Sequence, residues 1–155
     1  MFYAWLGPEK SAQIRLAVMD MWKAFRNSTL QAGNAPQALI VFDKFHVLSH
    51  LQKALDQVRK NEYARLTGEG RRYIKGQKYA LLSRWHNLSH RGKTALKLLF
   101  KVNKRWHTAH LLKESFGQRW DYETPGWALR FFEQWRESLK WQRLKPYQKF
   151  ATMVE

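Results

Sequence analysis

"ALIVFDKFHV", residues 38–47, is the stretch on which the fold turns. Five apolar residues run straight into Asp43, and His46 follows three positions on. An unbroken apolar run of that length, taken over "QALIVF" (37–42), predicts a buried strand. From Val47 the spacing turns helical, because Val47, Leu48, Leu51, Leu55 and Val58 fall on one face at a period near 3.6. Working upstream, "GNAP" (33–36) is a turn and "MWKAFRNSTLQA" (21–32) suits a helix with Trp22, Phe25 and Thr29 on one side. "IRLAVMD" (14–20) reads as another strand, with Ile14, Leu16 and Val18 on one face and Asp20 at its end. Gly7-Pro8 breaks the opening apolar segment.

Strand, helix, strand, helix is an α/β unit, so the two strands are expected to be parallel neighbours. In such sheets functional groups collect just beyond the carboxyl ends of the strands. Asp20 and Asp43 both stand there, and their agreement weighs more than either residue alone.

The rest of the chain reads as helical. "YALLSRWHNL" (79–88), "TALKLLFKVNKRWHTAHLLKESF" (94–116) and "GWALRFFEQWRESLKWQRL" (126–144) place apolar residues every three to four positions. Trp127, Phe131, Trp135 and Leu139 form one stripe, read as core in preference to a base-stacking platform. Thr124-Pro125 marks a helix start with the threonine as candidate N-cap. The expected fold class is α/β but predominantly helical. A change of composition near "RLTGEGRRYIKG" (65–76) divides it into residues 1–64, of mixed character, and residues 65–155, all helical.

A chain of 155 residues can bury a real core, and 45% hydrophobic with 15% aromatic residues argues against disorder. Eight tryptophans must mostly be buried or stacked. The net charge of +16 and pI near 10.4 point to a polyanionic partner, most simply nucleic acid. Most of that charge is C-terminal: residues 1–60 carry 8 basic against 4 acidic residues, residues 61–155 carry 20 against 8. There is no cysteine, which excludes disulfides and thiolate metal sites. The N-terminus lacks the pattern of a signal peptide, and no apolar stretch approaches the length of a membrane span. The sequon at Asn27-Ser-Thr carries little meaning without a secretory signal. A soluble cytoplasmic protein, with no membrane partner, is the expectation.

Two carboxylates at adjacent strand ends suit a hard divalent cation such as Mg²⁺, which prefers carboxylate oxygens and keeps waters for a phosphate to displace. Two-metal phosphoryl transfer normally uses three or more acidic ligands. Two good candidates are present here and no convincing third. The competing reading is capping: Asp43 as N-cap of the helix that follows it, and Asp20 as cap of a helix starting at Met21. His46 alone suits a structural role. His86/His90 and His107/His110 have helical spacing for zinc, but they lack the glutamate of a metalloprotease helix and sit in basic surroundings. There is no G-x-x-x-x-G-K-S/T loop, G-x-S-x-G elbow or G-x-G-x-x-G turn.

The basic run carries more signal. Arg71, Arg72, Lys75, Lys78, Arg84, Arg91, Lys93, Lys97, Lys101, Lys104, Arg105 and Lys113 accumulate between Glu69 and Glu114 without one acidic residue. A solvated helix face is the ordinary meaning of a charge run. A run without counter-charges in so basic a chain is better read as phosphate contacts, which confer affinity and not sequence reading.

"VMDMWKAFRNS" followed by "APQALIVFDKFHVLSHLQKALDQVRK" closely resembles the DDE transposases of the ISL-three group of bacterial insertion sequences. "AHLLKESF" (109–116) is similar to the helical segment before that family's last catalytic motif. The resemblance covers essentially the whole chain and is strongest over residues 14–60. It implies an RNase H-like fold, here a partial core over 1–64, with a basic helical insertion domain over 65–155. It also implies a bacterial cytoplasmic setting, DNA at the transposon ends as partner, and Mg²⁺ as cofactor of the complete site. Asp20 corresponds to the second aspartate of the DDE triad, and Asp43 with His46 to an aspartate-x-x-histidine signature on the next strand. Asp43 itself is the alternative second aspartate, so the resemblance makes Asp20, Asp43 and His46 candidate catalytic residues and the two aspartates candidate metal ligands.

The departures matter too. The family's first aspartate lies on an earlier strand, and its final glutamate sits in an N-G-x-x-E-G motif that does not occur here; Glu155 lacks that context. The expectation is therefore an internal or truncated transposase fragment, inactive alone and doubtful as a Mg²⁺ binder. Its parent would cut DNA and join 3′-hydroxyls to target DNA. The alternative is a non-catalytic DNA-binding or inhibitory module, forming oligomers with itself or with intact transposase. A relic without selected function is the third reading.

Overall fold

The computed structural model describes residues 2–155. Two compact units divide after Ser49, and each is built separately below.

The first unit opens with two short helices, α1 (Phe2–Leu6) and α2 (Pro8–Ala12), separated at Gly7 with φ +85°, a conformation open to glycine. Strand β1 (Leu16–Met19), helix α3 (Lys23–Leu30) and strand β2 (Leu39–Phe42) follow. The strands pair in parallel, Leu16 opposite Leu39 through Met19 opposite Phe42. The amide of Gln37 joins the start of β2 to what precedes β1, donating to the carbonyls of Ser11, Ala12 and Ile14 at 3.0–3.1 Å. Thr29 is buried on α3, where its hydroxyl meets Phe25 O (3.0 Å) and Tyr3 Oη (2.8 Å).

The parallel pair agrees with the α/β pattern, but two expectations need correction. The run at 37–42 predicts a strand buried on both faces, whereas only one face is half-buried. Leu16, Val18, Leu39 and Val41 occupy the other face at 54, 62, 67 and 40% exposure. The pleat sends alternate residues to opposite faces, and nothing among the described residues covers the second one. The helix expected from Met21 begins at Lys23, because Trp22 holds extended dihedrals (φ −76°, ψ 122°).

Helix α4 (Lys44–Arg65) starts in the first unit and continues through the second. Of the face its spacing predicts, Val47, Leu51, Leu55 and Val58 are buried and Leu48 is half-buried, and Ala54 joins them at i+3 from Leu51. In the second unit come α5 (Gly68–Ile74), α6 (Lys78–Leu82), a 3₁₀ turn (Trp85–Asn87), α7 (His90–Val102) and α8 (Lys104–Gly117). A second 3₁₀ turn (Gln118–Asp121) leads to α9 (Pro125–Ser138), a third (Leu139–Trp141) and α10 (Lys145–Val154). The periodic segment 94–116 is two helices, because Asn103 (φ −131°, ψ 99°) leaves the helical region between α7 and α8.

Aromatic side chains hold this unit together. Phe116 is fully buried and meets Trp135, Phe150 and Trp120 edge-on at centroid distances of 4.7, 5.1 and 5.6 Å, favoured quadrupolar geometries. Trp135 Nε1 donates to Leu112 O at 2.9 Å, and the buried Tyr147 hydroxyl donates to Ala109 O at 2.6 Å. The stripe expected at Trp127, Phe131, Trp135 and Leu139 needs adjustment: Trp135 on α9 and Leu139 in the 3₁₀ turn after it are buried, Phe131 is half-buried and Trp127 is 59% exposed, while the neighbouring Phe132 is the further buried ring of α9. Thr124 and Pro125 do open α9, although the threonine side chain makes no capping bond.

Candidate functional site

The register brings Asp20 and Asp43 together. Asp43 N donates to Met19 O at 3.1 Å, which extends the ladder one step past Met19 and Phe42. The two aspartates therefore leave neighbouring strands side by side at their carboxyl ends.

Their carboxylates are engaged differently. Asp43 Oδ1 accepts the His46 amide at 3.1 Å, the N3 position of α4, and Asp43 O accepts from Val47 N at 3.0 Å. Asp43 thus caps α4 with one oxygen, and a carboxylate has acceptor lone pairs on both. Asp20 does not cap a helix: its Oδ1 accepts the amide of Met21 at 2.6 Å, ahead of where α3 begins. Its Oδ2 lies 3.7 Å from His46 Nδ1, with both side chains partly open to solvent. The first turn of α4 therefore places the imidazole against one carboxylate while its backbone is fixed by the other. Phe45, 75% exposed, packs edge-on against His46 at 5.7 Å.

As a donor set, two adjacent carboxylates match the oxygen preference of Mg²⁺. Among the described residues, no group of three or more His, Asp or Glu side chains comes together in a metal-holding arrangement. The fit is that of a partial site.

The basic run separates into groups. Arg71, Arg72 and Lys75 are exposed on and just after α5, with Arg71 stacked over Tyr63 at 4.8 Å. Lys78 and Arg84 are also exposed. On α7, Lys93, Lys97 and Lys101 recur every four residues and share a face. Trp85 lies beneath two of them, its ring 6.0 Å from Lys93 Nζ and 5.9 Å from Lys97 Nζ. The periodicity of 79–88 places this tryptophan on a helix, but α6 ends at Leu82 and Trp85 instead opens the 3₁₀ turn, which is what frees its ring to meet α7. Ser89 Oγ caps α7 by accepting from Gly92 N at 3.2 Å, and Arg91 is exposed in the same turn.

Two members of the run have other partners. Arg105 Nε lies 2.8 Å from Glu62 Oε1, and its Nη2 donates to Arg143 O at 3.1 Å. Glu62, 7% exposed, also receives Arg65 at 2.9 Å and Asn103 at 3.2 Å. Lys113, expected among the phosphate-facing cations, is buried: its Nζ donates to Leu82 O at 3.2 Å and Ser83 O at 2.5 Å, and lies 2.9 Å from Glu114. Its neighbour His110 is 2% exposed, with Nδ1 3.0 Å from Leu81 O. Together the two side chains occupy the last carbonyls of α6, which no backbone amide of its own helix can reach. Burial, reinforced by the Lys113 charge, pushes the His110 imidazole down to about 4. Lys104 remains exposed.

The chain is thus a predominantly helical α/β protein with an acid pair at the carboxyl ends of two parallel strands and a strongly cationic helical unit. A family model described as "Transposase", of the DDE type and ISL-three group, matches residues 1–155, and the chain belongs to that family. It is 29% identical to the transposase for insertion sequence element IS1001 of Bordetella parapertussis, over 99% of this chain and 38% of the relative. The chain thus spans well under half the length of that curated relative. No solved structure matches it. No helix among the described residues is long and apolar enough to cross a membrane.

Proposed function

We propose that this chain is part of a transposase that cuts and joins DNA at the ends of an insertion sequence, with Asp20 and Asp43 contributing carboxylates to its active site. The observation that carries this reading is their juxtaposition, one step beyond the last paired residues of two parallel strands. Mg²⁺ bound there would supply charge stabilisation for in-line displacement at phosphorus. Asp20 and Asp43 would present oxygens from rigid strand ends, which fixes their separation before DNA arrives. His46 would act as a positioning residue, holding Asp20 by its ring and Asp43 by its amide. The partial donor set supports taking the remaining triad acids from transposase sequence outside the matched 38%. The RNase H-like core over 1–64, the basic insertion domain over 65–155 and the bacterial cytoplasmic setting belong to the same reading.

DNA would be held through phosphates by the exposed cations Arg71, Arg72, Lys75, Lys78, Arg84, Arg91, Lys97, Lys101 and Lys104, with Lys93 backed by Trp85. Arg105 would contribute through the joint it makes with Glu62. Counterion release gives a log–log salt slope of roughly 0.9 per duplex phosphate neutralised. Replacing Lys93, Lys97 and Lys101 by glutamine should lower that slope by about 2 to 3 and weaken binding alike on all duplex sequences. Binding indifferent to salt would remove this half of the reading.

The second reading, a non-catalytic DNA-binding or inhibitory module assembling with itself or with intact transposase, draws on the incomplete donor set. Both readings expect the isolated chain not to nick DNA. Mg²⁺-dependent nicking by this chain that disappears in Asp20→Asn would refute the expected inactivity.

A further inference from the structure

A groove of about 520 Å³ runs between α4 and α10, wholly inside the second unit and apart from the acid pair and the basic run. Each helix contributes one rim by its four-residue repeat: Lys53, Gln57 and Asn61 from α4, and Lys145, Lys149 and Met153 from α10. The floor between them is apolar, formed by Ala54, Pro146 and Phe150. The three lysines and both amide residues are exposed. Among the described residues, no acidic one lines the groove.

We propose that this groove binds an unpaired DNA strand, apart from the duplex-binding face on α7. The inference rests on the reading that this chain works on DNA. Charge selects the class of occupant, because a cleft with three cations and no carboxylate disfavours anything but a polyanion. The floor selects the form of DNA. A duplex keeps its base faces stacked and would offer such a cleft only phosphates, which use the lysines and leave the apolar floor and the amides idle. An unpaired nucleotide uses all three: phosphates on the lysines, a base face on the Pro146–Met153 side, and base edges toward Gln57 and Asn61; Gln57 Nε2 donates to Asn61 Oδ1 at 2.9 Å, which leaves Gln57 Oε1 to accept and Asn61 Nδ2 to donate. The four-residue lysine spacing along α10 also suits a strand that follows the groove.

The test uses the full 155-residue chain. Binding of a fluorescein-labelled oligothymidylate of about 12 nucleotides, and of a mixed-sequence duplex of the same length, is followed by anisotropy across a salt series. The expected result for K53Q/K145Q/K149Q, with near-ultraviolet circular dichroism unchanged, is about a tenfold or greater loss of single-strand affinity. Its salt slope should fall by about 2, at roughly 0.7 per phosphate on single strands, while duplex affinity changes less than about twofold. Met153→Glu should weaken single-strand binding likewise. K93Q/K97Q/K101Q should show the opposite pattern. Equal losses on both DNA forms would overturn the single-strand assignment. No loss on either would overturn the site altogether and leave the groove to an acidic protein segment. If the unaltered chain binds neither form, the DNA reading itself falls, an outcome distinct from failure of the groove alone.

Discussion

His110 shows how a residue's environment overrides its type. The His107/His110 spacing offers zinc ligands only on paper, in basic surroundings and without a glutamate; in the fold His110 instead neighbours Lys113 in closing the end of α6. With the folded imidazole pushed down to about 4 from its ordinary 6.5, the unfolded chain takes up a proton between those pH values that the folded chain refuses. The His110 contribution is therefore complete above pH 6.5 and is lost as pH falls toward 4, by up to roughly 3 kcal/mol. Urea midpoints at pH 7 and pH 5 should differ more for the native chain than for His110→Asn, and a parallel shift of both would contradict the assignment. Asp20 and Asp43 were legible because strand ends are strong positions in an α/β pattern. Lys113 was not: a charge run conceals which of its members turns inward.

The joint between α7 and α8 depends on Asn103, and on a carboxylate forty-one residues away. Its Oδ1 accepts from Trp106 N at 3.0 Å as the α8 cap, while its Nδ2 donates to Glu62 Oε2. Asn103→Ala should cost about 1 kcal/mol for the cap and somewhat more for the second bond. Glu62→Ala removes a nearly buried carboxylate shared by Arg65, Arg105 and Asn103 and should cost about 1–2 kcal/mol, since the Asn103 amide loses its partner while both guanidiniums keep access to water. Thermal denaturation of the two variants and of the double variant checks both; coupling between them is expected, because they share a bond. Periodicity ran through this joint unbroken, as it records which face is apolar and not where the axis turns. For the strands the reverse holds: their existence and pairing were readable, while their burial was not. A continuous apolar run states what a strand is suited to pack against, and packing depends on what else is present.

Each of the two units answers to a different part of the sequence. The second has an aromatic core around Phe116, and its fold follows from helical periodicity with breaks at Asn103 and the 3₁₀ turns. The first offers a two-stranded sheet with an apolar face of Leu16, Val18, Leu39 and Val41 open among the described residues. Open apolar faces and strand edges favour association. Sedimentation velocity over a dilution series should show concentration-dependent association of the native chain, reduced in the double variant Val18→Lys/Leu39→Lys; equal behaviour of the two would place any association elsewhere. The acid pair draws its meaning from this unit, because only parallel register puts residues twenty-three apart in sequence at neighbouring strand ends.

Substoichiometric Mn²⁺ added to ¹⁵N-labelled chain, with amide line broadening as the readout, examines that acid pair directly. Paramagnetic relaxation registers even the weak occupancy expected of two carboxylates. Broadening should begin at residues 19–22 and 42–47 and disappear in both Asp20→Asn and Asp43→Asn. Broadening centred elsewhere, or unchanged in both variants, would mean that the aspartates are caps and turn-formers without a metal role, and the proposed active site would have to be given up.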